Sequence, residues 1–416
     1  MQHTEYNPRL AALQRNGIIA AIAGAVILGI GLVSSRETFF QAYLYAFLFW
    51  NGLSLGCLSA LMLHHVVAGR WGFMIQRIVE AGARNLWLDL VLLLPIVLIG
   101  MDYLYPWTPA RVEMESEFVQ GKVQSLLVPV LDISWYNKGF FVARALVYFA
   151  VWIFLATRLT SLSQRQDQTG DQRITLRMRS ISSFGLLAYV ISVTFAACDW
   201  GMSLEPEWFS TIYGPLFVVG FGLATLAFSI IMLNKIADEK PLAAVIKTDY
   251  FHHLGSLACG FVVLWSYISF SQYLITYAGN LPEEIPWYLH RQTGGVEILA
   301  TLLIAFHFFL PLFILLQRRV KRARAGLLFM AKWLLVAHML DLFFIIIPAF
   351  HPNFETLTLM NVVIYAGGLL CLGGIWLALF VRNLQKYPLL PLHDDRMDEA
   401  IGVGVFAHEE ASEHAA

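Results

Sequence analysis

The chain has 416 residues, of which 58% are hydrophobic and 14% are charged, and its formal net charge is −1. Soluble domains usually carry about 25% charged residues, and apolar stretches of about 20 residues, the length that crosses a bilayer, recur along this whole sequence. The composition therefore predicts an all-α polytopic membrane protein and argues against a large soluble domain. No basic patch indicates binding to nucleic acid.

Ten apolar segments form a predicted membrane domain of residues 17–382. A polar N-terminal segment, residues 1–16, precedes it, and a polar tail, residues 383–416, follows. No small-residue cleavage site follows the first segment, so we interpret it as a retained helix and not as a signal peptide. The ten segments, with boundaries expected to hold within a few residues, are 17–33, 40–68, 84–104, 139–160, 180–201, 209–234, 251–278, 293–316, 327–348 and 360–382.

The distribution of Lys and Arg predicts the orientation. Of the 28 basic residues, 21 lie on the side that holds both termini and five on the other, while Arg144 and Lys332 lie within segments. We call these two faces the basic side and the acidic side. Because cytoplasmic connections are enriched in Lys and Arg, both termini are expected to be cytoplasmic. The basic run 318–324 is a predicted stop signal that contacts anionic lipid headgroups; a partner site is the alternative.

The acidic side concentrates carboxylates in its connections. They would form either a docking surface for a partner or a solvated rim, and the sequence leaves both interpretations open. These residues are Glu113, Glu115, Glu117, Asp132, Glu205, Glu207, Glu283 and Glu284.

Cysteine spacing argues against redox centres held by this chain. The four cysteines lie in or beside apolar segments and form no C-x-x-C or C-x-x-C-H pair, so neither iron–sulfur ligation nor attachment of c-type haem is expected. We interpret them as small buried side chains. No G-x-x-x-x-G-K-[ST] motif indicates a nucleotide site. The cysteines are Cys57, Cys198, Cys259 and Cys371.

Polar side chains at membrane depth support the functional hypotheses, because a charge at a helix centre costs about 2.5–3.5 kcal/mol on insertion scales. Asp102, Arg144, Asp199, Gln272 and Glu297 lie toward the acidic side. Arg144 is able to pair with Glu297 or Asp199 as a structural clamp, and a functional role for these residues is equally open. Histidines near segment ends on the basic side are expected to be interfacial: His64, His65, His252 and His253.

His338 and Asp341 lie near mid-membrane on one face of the ninth segment, three residues apart. A carboxylate beside an imidazole fixes its tautomer and favours its charged form, which suits proton relay; a mutually satisfied buried pair is the alternative. Haem ligation by His307 and His338 is a further, less favoured alternative. The expected ladder of proton carriers comprises Asp199, Glu297, Asp341, His338, His307 and Lys332.

Two runs then resemble a known family. The run from Asp199 to Thr211 (Asp-Trp-Gly-Met-Ser-Leu-Glu-Pro-Glu-Trp-Phe-Ser-Thr) and the run from Phe270 to Glu284 resemble segments of the NrfD-like family of polysulfide-reductase-type membrane subunits. Both are most similar to the second such subunit of bacterial alternative complex III. The resemblance implies two four-helix bundles, segments 2–5 and 6–9, with peripheral segments 1 and 10, in a bacterial inner membrane.

The resemblance also implies a place in a quinol-oxidising electron-transfer complex. Its partners would be a paralogous NrfD-like subunit, an iron–sulfur subunit, c-type cytochrome subunits and membrane lipid, with a terminal oxidase as a further partner. Haem c and iron–sulfur clusters would belong to those partners, and this chain would bind no cofactor. Quinol or quinone would be the membrane reactant, with candidate contacts at Asp199, Trp208, Gln272 and Arg144.

One departure from the family pattern bears on the role of this chain. The related first subunit has a Pro-Gly-Trp-His pattern near its quinol pocket, whereas residues 205–209 read Glu-Pro-Glu-Trp-Phe here. The missing histidine favours proton conduction and structural support over primary quinol oxidation, which needs a proton acceptor. An autonomous secondary transporter and a purely structural scaffold are the alternatives.

Overall fold

The computed structural model describes residues 8–115, 117–128, 133–239, 242–282, 284–391 and 393–394. Within them, ten helices are long and apolar enough to cross a membrane, which confirms the predicted all-α polytopic architecture. They are α1 (Pro8–Ser34), α2 (Arg36–Val67), α3 (Arg70–Leu104), α4 (Lys138–Thr169), α5 (Arg173–Trp200), α6 (Tyr213–Ile236), α7 (Thr248–Gly279), α8 (Val296–Leu316), α9 (Arg324–Ile346) and α10 (Leu359–Leu384).

Two of the ten helices are interrupted beside a proline. Helix α3 comprises Arg70–Ala83, Leu86–Pro95, a π-helical turn and Met101–Leu104; helix α8 comprises Val296–Leu303, a π-helical turn and Leu310–Leu316. Proline lacks the N–H that would continue the helical ladder, and π-turns accommodate such interruptions. The two π-turns are Ile96–Gly100 and Ile304–Phe309.

Short elements fill the connections. The longest connection contains the hairpin of β1 (Leu127–Val128) and β2 (Ile133–Ser134), antiparallel with Leu127 opposite Ser134. Of the predicted acidic residues, Asp132 and Glu283 lie outside the described residues. The short helices are Val112–Met114, Glu117–Ser125, Met202–Leu204, Leu242–Val245, Pro286–Leu289, Arg318–Arg322, Ile347–Ala349 and Pro352–Phe354.

The helices pack as two four-helix bundles, α2–α5 and α6–α9, which meet where α6 lies against α2, α3 and α5. Helices α2 and α6 form the centre: 83% and 89% of residues in their most apolar stretches are buried, against 22% in α1. Helix α1 packs against α10, and both lie on the outside of the first bundle against α2. Small residues permit this contact; a Cβ at Gly24 would lie 2.2 Å from the backbone nitrogen of Cys371.

The helices extend beyond the apolar segments on the basic side. Helix α4 continues to Thr169, nine residues past the predicted end, and α5 begins at Arg173, seven residues before the predicted start. Helix α1 begins at Pro8, within the polar segment. Residues 70–83, expected to be a connection, are instead a helix that is buried from Gly72 to Ala83. Arg77 and Glu80 lower its mean hydropathy although they pair with each other inside the protein.

Candidate functional site

Asp199, near the end of α5, is held by four side-chain hydrogen bonds. The Arg144 guanidinium donates to both carboxylate oxygens at 2.8 and 2.9 Å. Tyr148 donates to Oδ2 at 2.9 Å, and the Trp135 indole donates to Oδ1 at 3.1 Å. Asp199 is 1% exposed. Of the two predicted partners for Arg144, the structure selects Asp199, and this bidentate geometry is that of a clamp between α4 and α5.

A second ion pair joins the connection after α5 to the connection between α7 and α8. The Arg291 guanidinium donates to Glu205 Oε2 at 2.7 Å, and His290 Nδ1 lies 2.9 Å from Oε1. Arg291 also donates to the carbonyls of Trp287 and Ile345. Burial alone would raise the pKa of the Glu205 carboxyl, but the charge of Arg291 and the hydrogen bonds from His290 and Arg291 hold it below its ordinary value.

The remaining quinone candidates, Trp208 and Gln272, lie beside the ion pair of Glu205 and Arg291. Trp208 is 2% exposed and stacks on Trp287 with ring centroids 5.0 Å apart. The Ser210 hydroxyl donates to the side-chain oxygen of Gln272 on α7. The quinone candidates thus form two groups, Asp199 with Arg144 between α4 and α5, and Trp208 with Gln272 around the connection between α5 and α6.

Four side chains meet in the middle of the second bundle, and we call them the midspan cluster: His307, Trp265, Asp341 and His338. The Trp265 indole on α7 donates to Asp341 Oδ2 at 3.0 Å. The His307 ring, on the π-turn of α8, packs against Trp265 with centroids 4.1 Å apart. His338 Nδ1 lies 3.8 Å from Asp341 Oδ2, too far for a direct hydrogen bond. The two residues are adjacent but do not satisfy each other.

The midspan cluster contains buried ring nitrogens without hydrogen-bond partners among the described residues. Both nitrogens of His307 and both of His338 are in this state, and His338 lies between the rings of Phe49 and Phe221. A buried donor or acceptor left unsatisfied costs about 1–3 kcal/mol, so such groups call for a functional explanation. Protein atoms cover the nitrogens of both rings.

Three predicted relay residues lie apart from the cluster. Glu297 is exposed in the first turn of α8, where its carboxylate accepts the Gly295 N–H at 2.9 Å. Lys332 is on the exposed face of α9. Asp199 belongs to the clamp in the first bundle. Of the six predicted relay residues, the structure brings together His307, His338 and Asp341.

A buried charged network between α3 and α4 was missed from the sequence. Arg77 donates to Glu80 Oε2 at 2.8 Å and to Asp167, and the Ser163 hydroxyl donates to Glu80 Oε1 at 2.7 Å. Arg77 and Glu80 are 4% and 2% exposed. Their i, i+3 spacing is the signal in the sequence, but the low hydropathy of residues 70–83 predicts a connection there.

Neither a metal-binding cluster among the described residues nor a similar protein of known function indicates the chemistry of the site. In the part of the chain that the structure describes, no three or more His, Cys, Asp or Glu side chains are arranged to hold a metal ion. Its four cysteines are free thiols. No family model matches the chain, and no curated protein matches it. The geometry of the described side chains is therefore the evidence for the chemistry of the site.

Proposed function

We propose that this chain is the proton-conducting membrane subunit of a quinol-oxidising respiratory complex. The observation that carries the proposal is the midspan cluster, where one carboxylate and two imidazoles with unsatisfied nitrogens lie together at the centre of the second bundle. Intramembrane ionisable residues that face a bundle interior mark ion and proton paths in many membrane proteins.

The geometry suits a proton carrier better than a clamp. A clamp holds its carboxylate in several short hydrogen bonds, as Asp199 is held, whereas Asp341 accepts one side-chain hydrogen bond, from Trp265. The 3.8 Å separation of Asp341 from His338 is closed by a small side-chain movement, so a proton passes between them without a helix shift. Trp265 fixes the carboxylate and, through ring packing, the position of His307.

The resemblance to NrfD-like subunits supplies the setting. In that setting quinol is oxidised at the paralogous subunit, the electrons leave through iron–sulfur clusters and c-type haems of partner subunits, and this chain couples the proton movement. The clamp at Asp199 and the buried Trp208 supply no open, proton-accepting pocket for a quinol ring. This supports conduction and structural support over primary quinol oxidation.

An autonomous transporter is less well supported. Transporter sites use broken helices at corresponding positions of repeated halves, but the π-turns lie in α3 and α8, the second helix of one bundle and the third of the other. Gentle solubilisation of native membranes, capture of the chain and mass spectrometry of its companions, together with a haem spectrum, tests the assignment. Companions with c-type haem and iron–sulfur signatures support it, and a chain that emerges alone contradicts it.

Replacing Asp341 tests the proton path. In the complex reconstituted into liposomes, Asp341→Asn should abolish proton uptake coupled to quinol oxidation while the subunits stay assembled, because an amide cannot carry the proton. The matched control is Glu297→Gln, an exposed carboxylate that should leave uptake unchanged. His307→Gln is a second variant, expected to reduce uptake. Normal uptake by Asp341→Asn, or loss of assembly in both cluster variants, would overturn the proposal.

A further inference from the structure

A groove runs between α4 and α5 from the basic side toward the middle of the span. It comprises two adjoining cavities of about 570 and 400 Å³ that share Ser180 and Ile181. The deeper cavity is lined almost wholly by apolar side chains, including Phe154 and Phe184, which are 59% and 77% exposed. The groove is thus apolar inside the span and opens on the outside of the first bundle.

Three arginines line the cavity at the mouth of the groove. Arg158 and Arg165 come from α4 and Arg177 from α5, and no carboxylate lines this cavity. None of the three forms an ion pair within the described ranges, whereas Arg77, Arg144 and Arg291 each have a carboxylate partner. Three exposed guanidiniums without acidic partners create a local positive field that favours an anion.

The length of the groove along α4 and α5 matches a lipid and not a free anion alone. From Arg158 to Ala150 on α4, and from Ser180 to Ala188 on α5, the chain rises about 12 Å along each helix. The guanidinium of Arg158 lies 5.8 Å from the centre of the Phe154 ring, so the charged mouth adjoins the apolar interior directly. This is a headgroup site continuous with an acyl-chain site.

We propose that this groove binds an anionic phospholipid, its phosphate at Arg158, Arg165 and Arg177 and its acyl chains over Phe154 and Phe184. Three cations in one mouth fit a headgroup with two phosphates better than one with a single phosphate, so the preferred class is a diphosphatidylglycerol. Basic pockets between transmembrane helices bind such headgroups through charge pairing. The proposal does not depend on the proton path in the second bundle.

Native mass spectrometry of the purified, delipidated protein with whatever companions it retains tests the site. The probes are tetraoleoyl cardiolipin, dioleoyl phosphatidylglycerol, dioleoyl phosphatidylcholine and inorganic phosphate. The triple variant R158Q/R165Q/R177Q should bind cardiolipin on the order of 10-fold or more weakly. The matched control is R173Q/R179Q/R382Q, which removes three exposed charges from the same side without altering a residue that lines the groove; it should bind as the unaltered protein does.

A second variant separates lipid from free phosphate. Ala150→Trp fills the lipid-exposed end of the groove and leaves the arginines in place. It should weaken cardiolipin binding and leave any binding of inorganic phosphate unchanged. Equal loss in the two triple variants, a preference for phosphatidylcholine, or complete competition by inorganic phosphate would overturn the proposal. So would unchanged lipid binding with loss of a companion subunit, which would make the arginines a protein contact.

Discussion

Asp199 and Asp341 are both buried carboxylates. Each lies in the half of its helix, α5 or α9, that is toward the acidic side, but their surroundings differ. Asp199 accepts from Arg144, Tyr148 and Trp135. Asp341 accepts from Trp265, and the Nδ1 of the His338 imidazole is 3.8 Å away. The same residue type is thus held by four side-chain hydrogen bonds in one bundle and by one in the other, and the proposed proton path depends on this contrast.

Removing the cation from the clamp should destabilise the first bundle strongly. Arg144→Gln leaves Asp199 buried without its charge partner, and breaking a buried pair in this way costs about 3–5 kcal/mol. Unfolding in detergent, followed by tryptophan fluorescence, measures it. The matched control is Lys138→Gln, because Lys138 and Asp102 are 38% and 42% exposed and such pairs contribute about 0–1 kcal/mol. Equal losses in the two variants would contradict a structural clamp.

The ion pair of Glu205 and Arg291 should make the stability of the folded protein depend on pH. Because the pKa of Glu205 is lower in the folded protein than in the unfolded chain, its stabilisation is full above the unfolded value of about 4.3 and is lost as the pH falls through the folded value. The difference in unfolding midpoint between the unaltered protein and Glu205→Gln should therefore shrink on acidification from pH ~6 to ~3. Glu355→Gln, exposed on the same side, is the control; a constant difference for Glu205→Gln would refute the assignment.

At the scale of elements, close contact between α1 and α10 depends on glycine. A Cβ at Gly24 would lie 2.6 Å from the Gly367 carbonyl oxygen, and one at Gly374 would lie 2.3 Å from the Gly17 carbonyl oxygen. These are backbone atoms that cannot rotate away, so any larger residue separates the helices. Helix α1 has α2 as its main further neighbour, whereas α10 also packs against α2 and α3, so α1 is the helix that depends most on this contact.

Gly24→Ala should therefore cost stability through overpacking. Such insertions typically cost about 1–3 kcal/mol, and the loss should appear as a lower thermal unfolding midpoint in detergent. Gly29→Ala is the control on the same helix, since a Cβ there meets no atom within 4 Å. A midpoint in Gly24→Ala as high as in Gly29→Ala would show that the two helices tolerate separation.

The number of helices was predictable from hydropathy and the bundle plan was implied by the resemblance to NrfD-like subunits, whereas contacts between distant side chains were not predictable. The i, i+3 spacing places His338 and Asp341 on one face because it is a property of a single helix. Trp265 is 76 residues from Asp341, and hydropathy does not specify how α7 is rotated against α9. Residues 70–83 read as a connection because Arg77 and Glu80 lower their mean hydropathy while satisfying each other inside the protein.

The orientation of the whole molecule follows from charge and remains a prediction. In a background without the native cysteines, Gln168→Cys on the basic side and Glu355→Cys on the acidic side are both exposed. A membrane-impermeant maleimide should label the cysteine at 355 in right-side-out vesicles and the one at 168 in inverted vesicles, because both termini are expected in the cytoplasm. The reverse pattern would show that the charge rule fails here.

The central position of α2 and α6 has a consequence for biogenesis. Helix α2 buries polar groups such as Asn51 and Ser54, and α6 buries Thr225 and Ser229, yet the two are separated by almost 150 residues of chain. At synthesis rates of about 5–20 residues per second, α2 waits roughly 7 to 30 s for α6 to emerge. During that interval the face of α2 that packs against α6, where Thr225 donates to the Leu53 carbonyl, is uncovered, so ribosome stalling before α6 should leave a nascent chain that depends on membrane insertases and is exposed to quality-control proteases.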